Sequence, residues 1–150
     1  MAVVCRYACV FSLFLPLLFA CSKPLPDEKQ IAAAIEQLQQ ATEKKQLRTV
    51  MQFFSDDFRG RHQMNKAALQ ARVYMHFRQN PRVTVYVSNV DIQMNKDQAT
   101  VSCHLLVTGS QDVMPDKGRL YRIESAWRKD KGTWRIFKAD WKDIFVQQVP

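Results

Sequence analysis

Length, composition and charge allow one folded domain and exclude several classes of protein. The chain has 150 residues, of which 47% are hydrophobic and 24% are charged; this is ordinary globular usage and excludes wholesale disorder. Four glycines and six prolines exclude a collagen-like or low-complexity chain. The net charge is +8, and basic residues are densest between positions 119 and 142, so an anionic partner has to be considered.

The first twenty residues have the pattern of a secretion signal. Arg6 is their only charged residue, and the apolar run Cys9–Phe19 is eleven residues long. A helix needs about 20 apolar residues to cross a bilayer, so the run predicts a signal segment over residues 1–20 and not a membrane span. The alternative, a core helix of the folded domain, is disfavoured because the run has almost no polar face.

The signal ends in Leu18-Phe19-Ala20-Cys21, which resembles the lipobox of bacterial lipoproteins. The resemblance implies cleavage between Ala20 and Cys21 and lipidation of the Cys21 sulfur; Phe19 departs from the smaller residue that is usual there. The residues after Cys21 are not acidic, which implies the outer membrane, facing the periplasm. Two or more acyl chains anchor a protein stably. The alternative is an ordinary secretory cut near Ala20 with Cys21 left unmodified.

The cysteine count favours a domain without an internal disulfide. Cys5 and Cys9 leave with the signal and Cys21 becomes the anchor, so Cys103 alone remains in the folded part. Cys103 belongs to an alternating apolar run from position 99 to 107, which predicts a small core residue on a strand. A catalytic role is disfavoured because the adjacent His104 would face the other side of the strand.

Three helices are predicted between residues 27 and 80, after a lipidated and Pro-containing tether over residues 21–26. Asp27 and Gln30 form a capping-box pattern, and the helix that follows has apolar residues at helical spacing to about Lys45. A second helix covers residues 47–54. Asn65 caps a third helix, which ends at Asn80-Pro81.

From Arg82 onwards the apolar period changes from 3.6 to 2, which predicts about four strands. The alternation slips near Ser88, as a β-bulge would cause. The predicted strands cover residues 82–94, 99–108, 120–129 and 134–144, and three helices before four hairpin-connected strands indicate an α+β fold over residues 27–150.

This order of elements is similar to the NTF2-like superfamily, which includes ketosteroid isomerase and SnoaL-like proteins. The resemblance is carried by residues 53–58 after the paired helices, by the third helix, and by the strand stretches at 99–101, 125–129 and 132–136. It covers residues 28–145. It implies a cystatin-like cone, with three N-terminal helices packed on a curved antiparallel sheet of about four strands around an apolar pocket. Homodimers are common in this fold, so a homodimer is implied as well.

The pocket residues are harder to assign, because packing motifs carry little chemistry. Ketosteroid isomerase-like members of the superfamily place a carboxylate base opposite an acid or phenol donor. Asp140 is a weak candidate for the base, and its register is ambiguous because both faces of the last strand are apolar. The possible pocket residues are Tyr74, Tyr86, Tyr121, Trp127 and Asp140. No metal or cofactor is predicted, because His62, His76 and His104 lack metal-ligand spacing.

The sequence therefore favours a lipid-anchored periplasmic domain that is not catalytic and binds a small apolar ligand or a protein partner. One alternative is a small isomerase or dehydratase that uses Asp140 as its base. Another is a basic module that docks on anionic components of the envelope. Nucleic acid is not expected as a partner, because no recognised binding motif is present and the predicted location excludes it.

Overall fold

Helices occupy the first part of the domain. The computed structural model describes residues 25–110 and 117–144. Helix α1 covers Asp27–Glu43, α2 covers Leu47–Gln52 and α3 covers Lys66–Gln79. All three predicted helices are present, with ends that differ from the predicted ones by a few residues.

The start of α1 differs from the prediction. Asp27 lies inside the first helical turn, Pro26 occupies the N-cap position, and no side chain caps the helix. The Asp27 carboxylate instead accepts a hydrogen bond from Trp134 Nε1 at 3.2 Å and pairs with Lys129 Nζ at 2.6 Å. The hydrogen bond from Lys129 is the main reason that the pKa of Asp27 lies below its ordinary value. These contacts fasten the beginning of α1 to the sheet.

Helix α3 begins as the sequence predicts. The Asn65 side chain accepts a hydrogen bond from the backbone N–H of Ala68 at 2.8 Å, which satisfies one of the free amides of the first turn. At the other end, Asn80 Nδ2 donates to the carbonyl oxygen of His76 at 2.8 Å. An asparagine side chain therefore forms a hydrogen bond with the backbone at each end of the helix.

Within the described residues the sheet has six strands, and the prediction of about four was wrong. The strands are β1 (Phe54–Gly60), β2 (Met64–Asn65), β3 (Arg82–Asn95), β4 (Gln98–Ser110), β5 (Lys117–Asp130) and β6 (Thr133–Ile144). Their order is β2-β1-β6-β5-β4-β3. All neighbours are antiparallel except β1 and β6, which are parallel.

The two additional strands are short, and β1 lacks the alternation that reveals a strand. Ser55 and Phe58 are buried while Asp56 and Asp57 between them are exposed. The cause is an irregular register against β6, where Phe54 lies opposite Ile136 and Arg59 lies opposite Lys138. The backbone of β1 therefore bulges at the aspartates, which breaks the period of two.

Bulges also interrupt two of the long strands. The register of β3 against β4 shifts between Ser88 and Asp91, where Asn89 has a φ of 51°, close to the predicted slip. A second shift lies in β6: Ala126 pairs with Lys138 and Trp127 pairs with Ile136, so Phe137 is an extra residue. Such bulges bend a strand and increase its twist, so they favour a curved sheet.

The core consists of two groups of buried apolar side chains between the helices and one face of the sheet. The first group is Ile31, Phe58, Ala99, Val101, Trp127, Trp134 and Ile136. The second is Ala41, Val50, Met51, Phe77, Val83 and Val85. Both groups pack against Leu38 of α1, Phe54 of β1 and Leu69 of α3.

The signal segment, the cleavage position Ala20 and Cys21 lie outside the residues that the structure describes, as do the first residues of the tether. Across 25–110 and 117–144, no helix is long and apolar enough to span a membrane.

Candidate functional site

A cavity of about 400 Å³ lies between the three helices and the inner face of the sheet. Residues of both core groups line it. Its wall is mostly apolar. The apolar lining residues are Ile35, Leu38, Val50, Phe54, Phe58, Leu69, Val73, Phe77, Val85, Val87, Val101, Leu105, Val107, Ile123, Trp127, Ile136, Ala139 and Trp141, and the others are Gln39, Thr42, Arg72, His76, Cys103, Tyr121 and Ser125.

Strand alternation decides which residues reach this cavity. Along β4 the lining residues are Val101, Cys103, Leu105 and Val107, so the residues between them face the outer side. The inward position of Cys103 agrees with the sequence pattern, and burial raises the pKa of its thiol. A thiol with a raised pKa is a poor nucleophile at neutral pH.

Three polar side chains of the wall, together with the indole N–H of Trp127, are already hydrogen-bonded within the protein. Gln39 Nε2 donates to the carbonyl oxygen of Val85 at 2.7 Å, and Thr42 Oγ1 donates to that of Leu38 at 2.7 Å. Trp127 Nε1 donates to Ser125 Oγ at 2.9 Å, and Ser125 Oγ donates in turn to a backbone carbonyl of β4 at 3.3 Å. These bonds leave the wall apolar in character despite its polar residues.

His76 is a half-buried titratable residue of the wall. Its Nδ1 lies 3.3 Å from Asn80 Nδ2. Because an amide nitrogen can only donate, Nδ1 is the acceptor and the ring proton is on Nε2. That Nε2 atom is buried and has no hydrogen-bond partner within the described ranges. Burial, together with the charge of Lys45, lowers the pKa of His76 below its ordinary value of 6.5, so the ring is neutral at pH 7.

Arg72 is an exposed residue of α3 that also lines the cavity, so it lies at the rim. It makes no salt bridge with any residue in the described part of the chain. Neither Arg72 nor His76 was among the pocket residues predicted from the sequence. They flank the apolar stripe of α3 at Leu69, Val73 and Phe77, and that stripe could have located them, since residues three and four apart share a helix face.

The structure places two of the five predicted pocket residues in the cavity wall. Tyr121 and Trp127 line the cavity, and Trp127 is fully buried. Tyr74 and Tyr86 lie outside it, with 47% and 59% of their surface exposed. Tyr74 is on the solvent side of α3, where the Arg78 guanidinium lies 5.9 Å from the centre of its ring.

Asp140 also lies outside the cavity. Its side chain is 53% exposed, its Oδ1 accepts a hydrogen bond from the Trp141 backbone N–H at 2.9 Å, and Arg61 Nε lies 4.0 Å away. The physical reason is the bulge at Phe137. Before the bulge Ile136 faces inward, and after it Ala139 and Trp141 do, so Asp140 is on the outer face.

The cavity wall offers no charged partner for a cation. None of its lining residues in the described part of the chain is an aspartate or a glutamate. Over residues 25–110 and 117–144, no group of three His, Cys, Asp or Glu side chains is arranged to hold a metal ion.

This combination, a helix-covered and bulged antiparallel sheet that encloses an apolar cavity, defines an NTF2-like or cystatin-like α+β fold. Solved structures agree. The chain matches a proposed scytalone dehydratase from Novosphingobium aromaticivorans with a TM-score of 0.71 and 12% identity, over 79% of this chain and 84% of that one. It also matches a protein of unknown function with a cystatin-like fold from Nostoc punctiforme, with a TM-score of 0.65 and 20% identity, over 80% and 92% of the two chains.

A third match is Bd1075 of Bdellovibrio bacteriovorus, with a TM-score of 0.69 and 15% identity over 77% of this chain. The chain spans only 41% of the Bdellovibrio protein. No curated protein matches the chain. The SnoaL-like domain family matches residues 23–140, and the chain belongs to that family.

Proposed function

We propose that this domain binds a small apolar ligand in the cavity between its helices and its sheet. The observation that carries the proposal is the cavity itself, whose volume of about 400 Å³ lies in the range of small-molecule sites. Most of its wall is aliphatic or aromatic, and its polar side chains Gln39, Thr42 and Ser125 already have partners within the protein. Burial of apolar ligand surface would provide most of the binding free energy.

A binding role fits the cavity better than an isomerase or dehydratase role. A base for proton abstraction has to reach the substrate, and the Asp140 carboxylate is on the opposite side of the sheet. The scytalone dehydratase-like structural relative shares 12% identity with this chain, so it supports the fold and not an activity. We therefore do not propose Asp140 as a catalytic base.

Two adjacent leucines of β4 provide a matched test. Leu105 lines the cavity, while Leu106 is outside its wall. The purified protein is titrated with the neutral fluorescent probe N-phenyl-1-naphthylamine. We expect Leu105→Trp to fill the cavity and weaken binding by about tenfold or more, and Leu106→Trp to bind as the wild type does. Circular dichroism establishes that both variants are folded. Equal binding by the two variants would contradict the proposal.

We also propose that the domain is held at the bacterial envelope through Cys21, facing the periplasm from the outer membrane. The support is the sequence pattern of residues 1–21 and its likeness to a lipobox. A homodimer stays a prediction. Light scattering on the purified protein tests it, because the method gives the molar mass.

Docking on anionic envelope components is the weaker alternative. Part of the basic charge between positions 119 and 142 is compensated by aspartates. The pairs are Arg128–Asp57 at 2.6 Å, Lys129–Asp27 at 2.6 Å and Arg135–Asp130 at 3.2 Å. These pairs reduce the positive field that an anionic surface would meet, so the cavity is the better supported binding site.

A further inference from the structure

The charged residues around the cavity indicate which head group a ligand with an apolar body would carry. Arg72 is at the rim, exposed to solvent and in contact with the cavity, and an arginine guanidinium is always protonated in proteins. Among the residues that the structure describes, the wall contains no carboxylate. An uncompensated cation beside an apolar cavity attracts an anion, and its planar guanidinium can bind a carboxylate through two parallel hydrogen bonds.

The position of Arg72 on α3 suits a head group at the entrance and an apolar body inside. Leu69 and His76 are one turn away on the same face, Val73 is the next residue along the helix, and all three line the cavity. An arginine side chain lays its aliphatic stem along apolar surface and keeps its charge in water. A ligand carboxylate beside Arg72 would therefore stay partly hydrated while the attached chain is buried among the valines and leucines of the wall.

We propose that the ligand is an amphipathic anion, with an apolar chain inside the cavity and an oxyanion head group on Arg72. This inference rests on the proposed binding function and specifies its ligand class. The expected preference for an anion is the opposite of that for a cavity without a cation at its rim. Such a cavity would favour a neutral ligand, because the transfer of an unpaired carboxylate out of water is unfavourable.

A matched pair of ligands tests the proposal. Dodecanoate and 1-dodecanol have the same chain length and differ in the head group. Each is used to displace N-phenyl-1-naphthylamine from the purified protein, at low and high salt. We expect dodecanoate to bind about tenfold more tightly than 1-dodecanol. This preference should shrink at high salt, because the rim is exposed and its charge is screened.

Two arginines of α3 provide the variants. Arg72→Met should remove the preference for dodecanoate while the affinity for 1-dodecanol stays within about twofold of the wild type. Arg78→Met is the control, because Arg78 is exposed on the same helix and does not line the cavity. It should keep the preference. The retained alcohol binding also establishes that Arg72→Met is folded.

The outcomes separate the two proposals. If neither ligand displaces the probe and the probe itself binds no more tightly than to Leu105→Trp, the binding function fails. If 1-dodecanol displaces the probe and dodecanoate does no better, the cavity binds ligands but the assignment of an anionic head group is wrong. A preference for dodecanoate that survives in Arg72→Met would also overturn that assignment.

Discussion

At the scale of single residues, two neighbours on α3 set the electrostatics of an apolar cavity. Arg72 contributes a permanent positive charge at the rim, and His76 contributes a ring that burial keeps neutral at pH 7. Asn80 fixes the tautomer of that ring through the contact with Nδ1. Because His76 is harder to protonate in the folded protein than in the unfolded chain, the free energy of unfolding depends on pH.

We expect His76→Gln to flatten the pH dependence of stability in weakly acidic solution. The pKa of His76 is lowered in the folded protein by burial and by Lys45. As the pH falls through 6.5, the unfolded chain therefore takes up a proton at this residue and the folded protein does not. The free energy of unfolding decreases until the pH is below the lowered pKa. Urea denaturation from about pH 8 to about pH 5 measures the effect.

Lys45→Met should have an intermediate effect, because it removes the smaller of the two causes and leaves burial in place. The aspartates do not interfere in this range. The pKa values of Asp27, Asp56 and Asp57 are lowered from 3.8 by hydrogen bonds from basic residues, so the stability that these groups contribute is lost only in more acidic solution. If stability depends on pH in His76→Gln as it does in the wild type, His76 is not the cause of this dependence.

At the scale of elements, the β5–β6 hairpin is a place where the effect of a substitution depends on backbone conformation and not on side-chain packing. Its two turn residues, Lys131 and Gly132, have φ values of 52° and 82°, so both central positions are left-handed, as in a type I′ turn. Glycine adopts this conformation freely and asparagine tolerates it, but lysine does not favour it. Both residues are exposed, so a change there acts through the backbone.

We expect Lys131→Asn to stabilise the domain by roughly 0.5–1 kcal/mol, since asparagine adopts positive φ at lower cost. Gly132→Ala should destabilise it by about 1 kcal/mol, although an added Cβ would meet no atom within 4 Å. Urea denaturation of the two variants measures both effects. Two changes of the same sign would mean that turn conformation is not the cause.

Elements with strong periodicity were predictable from sequence, and those shaped by irregular pairing were not. The helical stripe of α3, its Asn65 cap and the β5–β6 hairpin followed from local patterns. Strand β1 did not, because its register against β6 exposes two consecutive aspartates. The side of β6 that carries Asp140 was ambiguous, since both faces of the strand are apolar in sequence and the position of the extra residue Phe137 depends on pairing with β5.

At the scale of the whole molecule, the start of α1 contacts the β5–β6 hairpin. Asp27 contacts Lys129 and Trp134, and it lies six positions after the proposed anchor at Cys21. A chain of that length spans roughly 20 Å when fully extended. An anchored domain would therefore stay close to the bilayer, with this hairpin among its nearest parts.

We expect Cys21→Ser to move the protein from the membrane fraction to the soluble fraction, because a serine accepts no thioether-linked lipid and one lost anchor removes the membrane affinity. Expression in a Gram-negative bacterium, followed by fractionation and mass spectrometry of the N-terminal peptide, measures this. Cys103→Ser serves as the control and should stay with the membrane. A Cys21→Ser protein that still sediments with membranes would contradict the anchor.

The extra residue in β6 has a consequence for the comparison of this chain with other members of its family. Ile136 and Trp141 line the same cavity although five positions separate them, an odd spacing that a regular strand would place on opposite faces. An alignment to a relative with an unbulged last strand therefore needs a gap at Phe137. Without that gap, each downstream position is equated with one that faces the other way, and a relative's catalytic acid could be transferred to a solvent-facing aspartate.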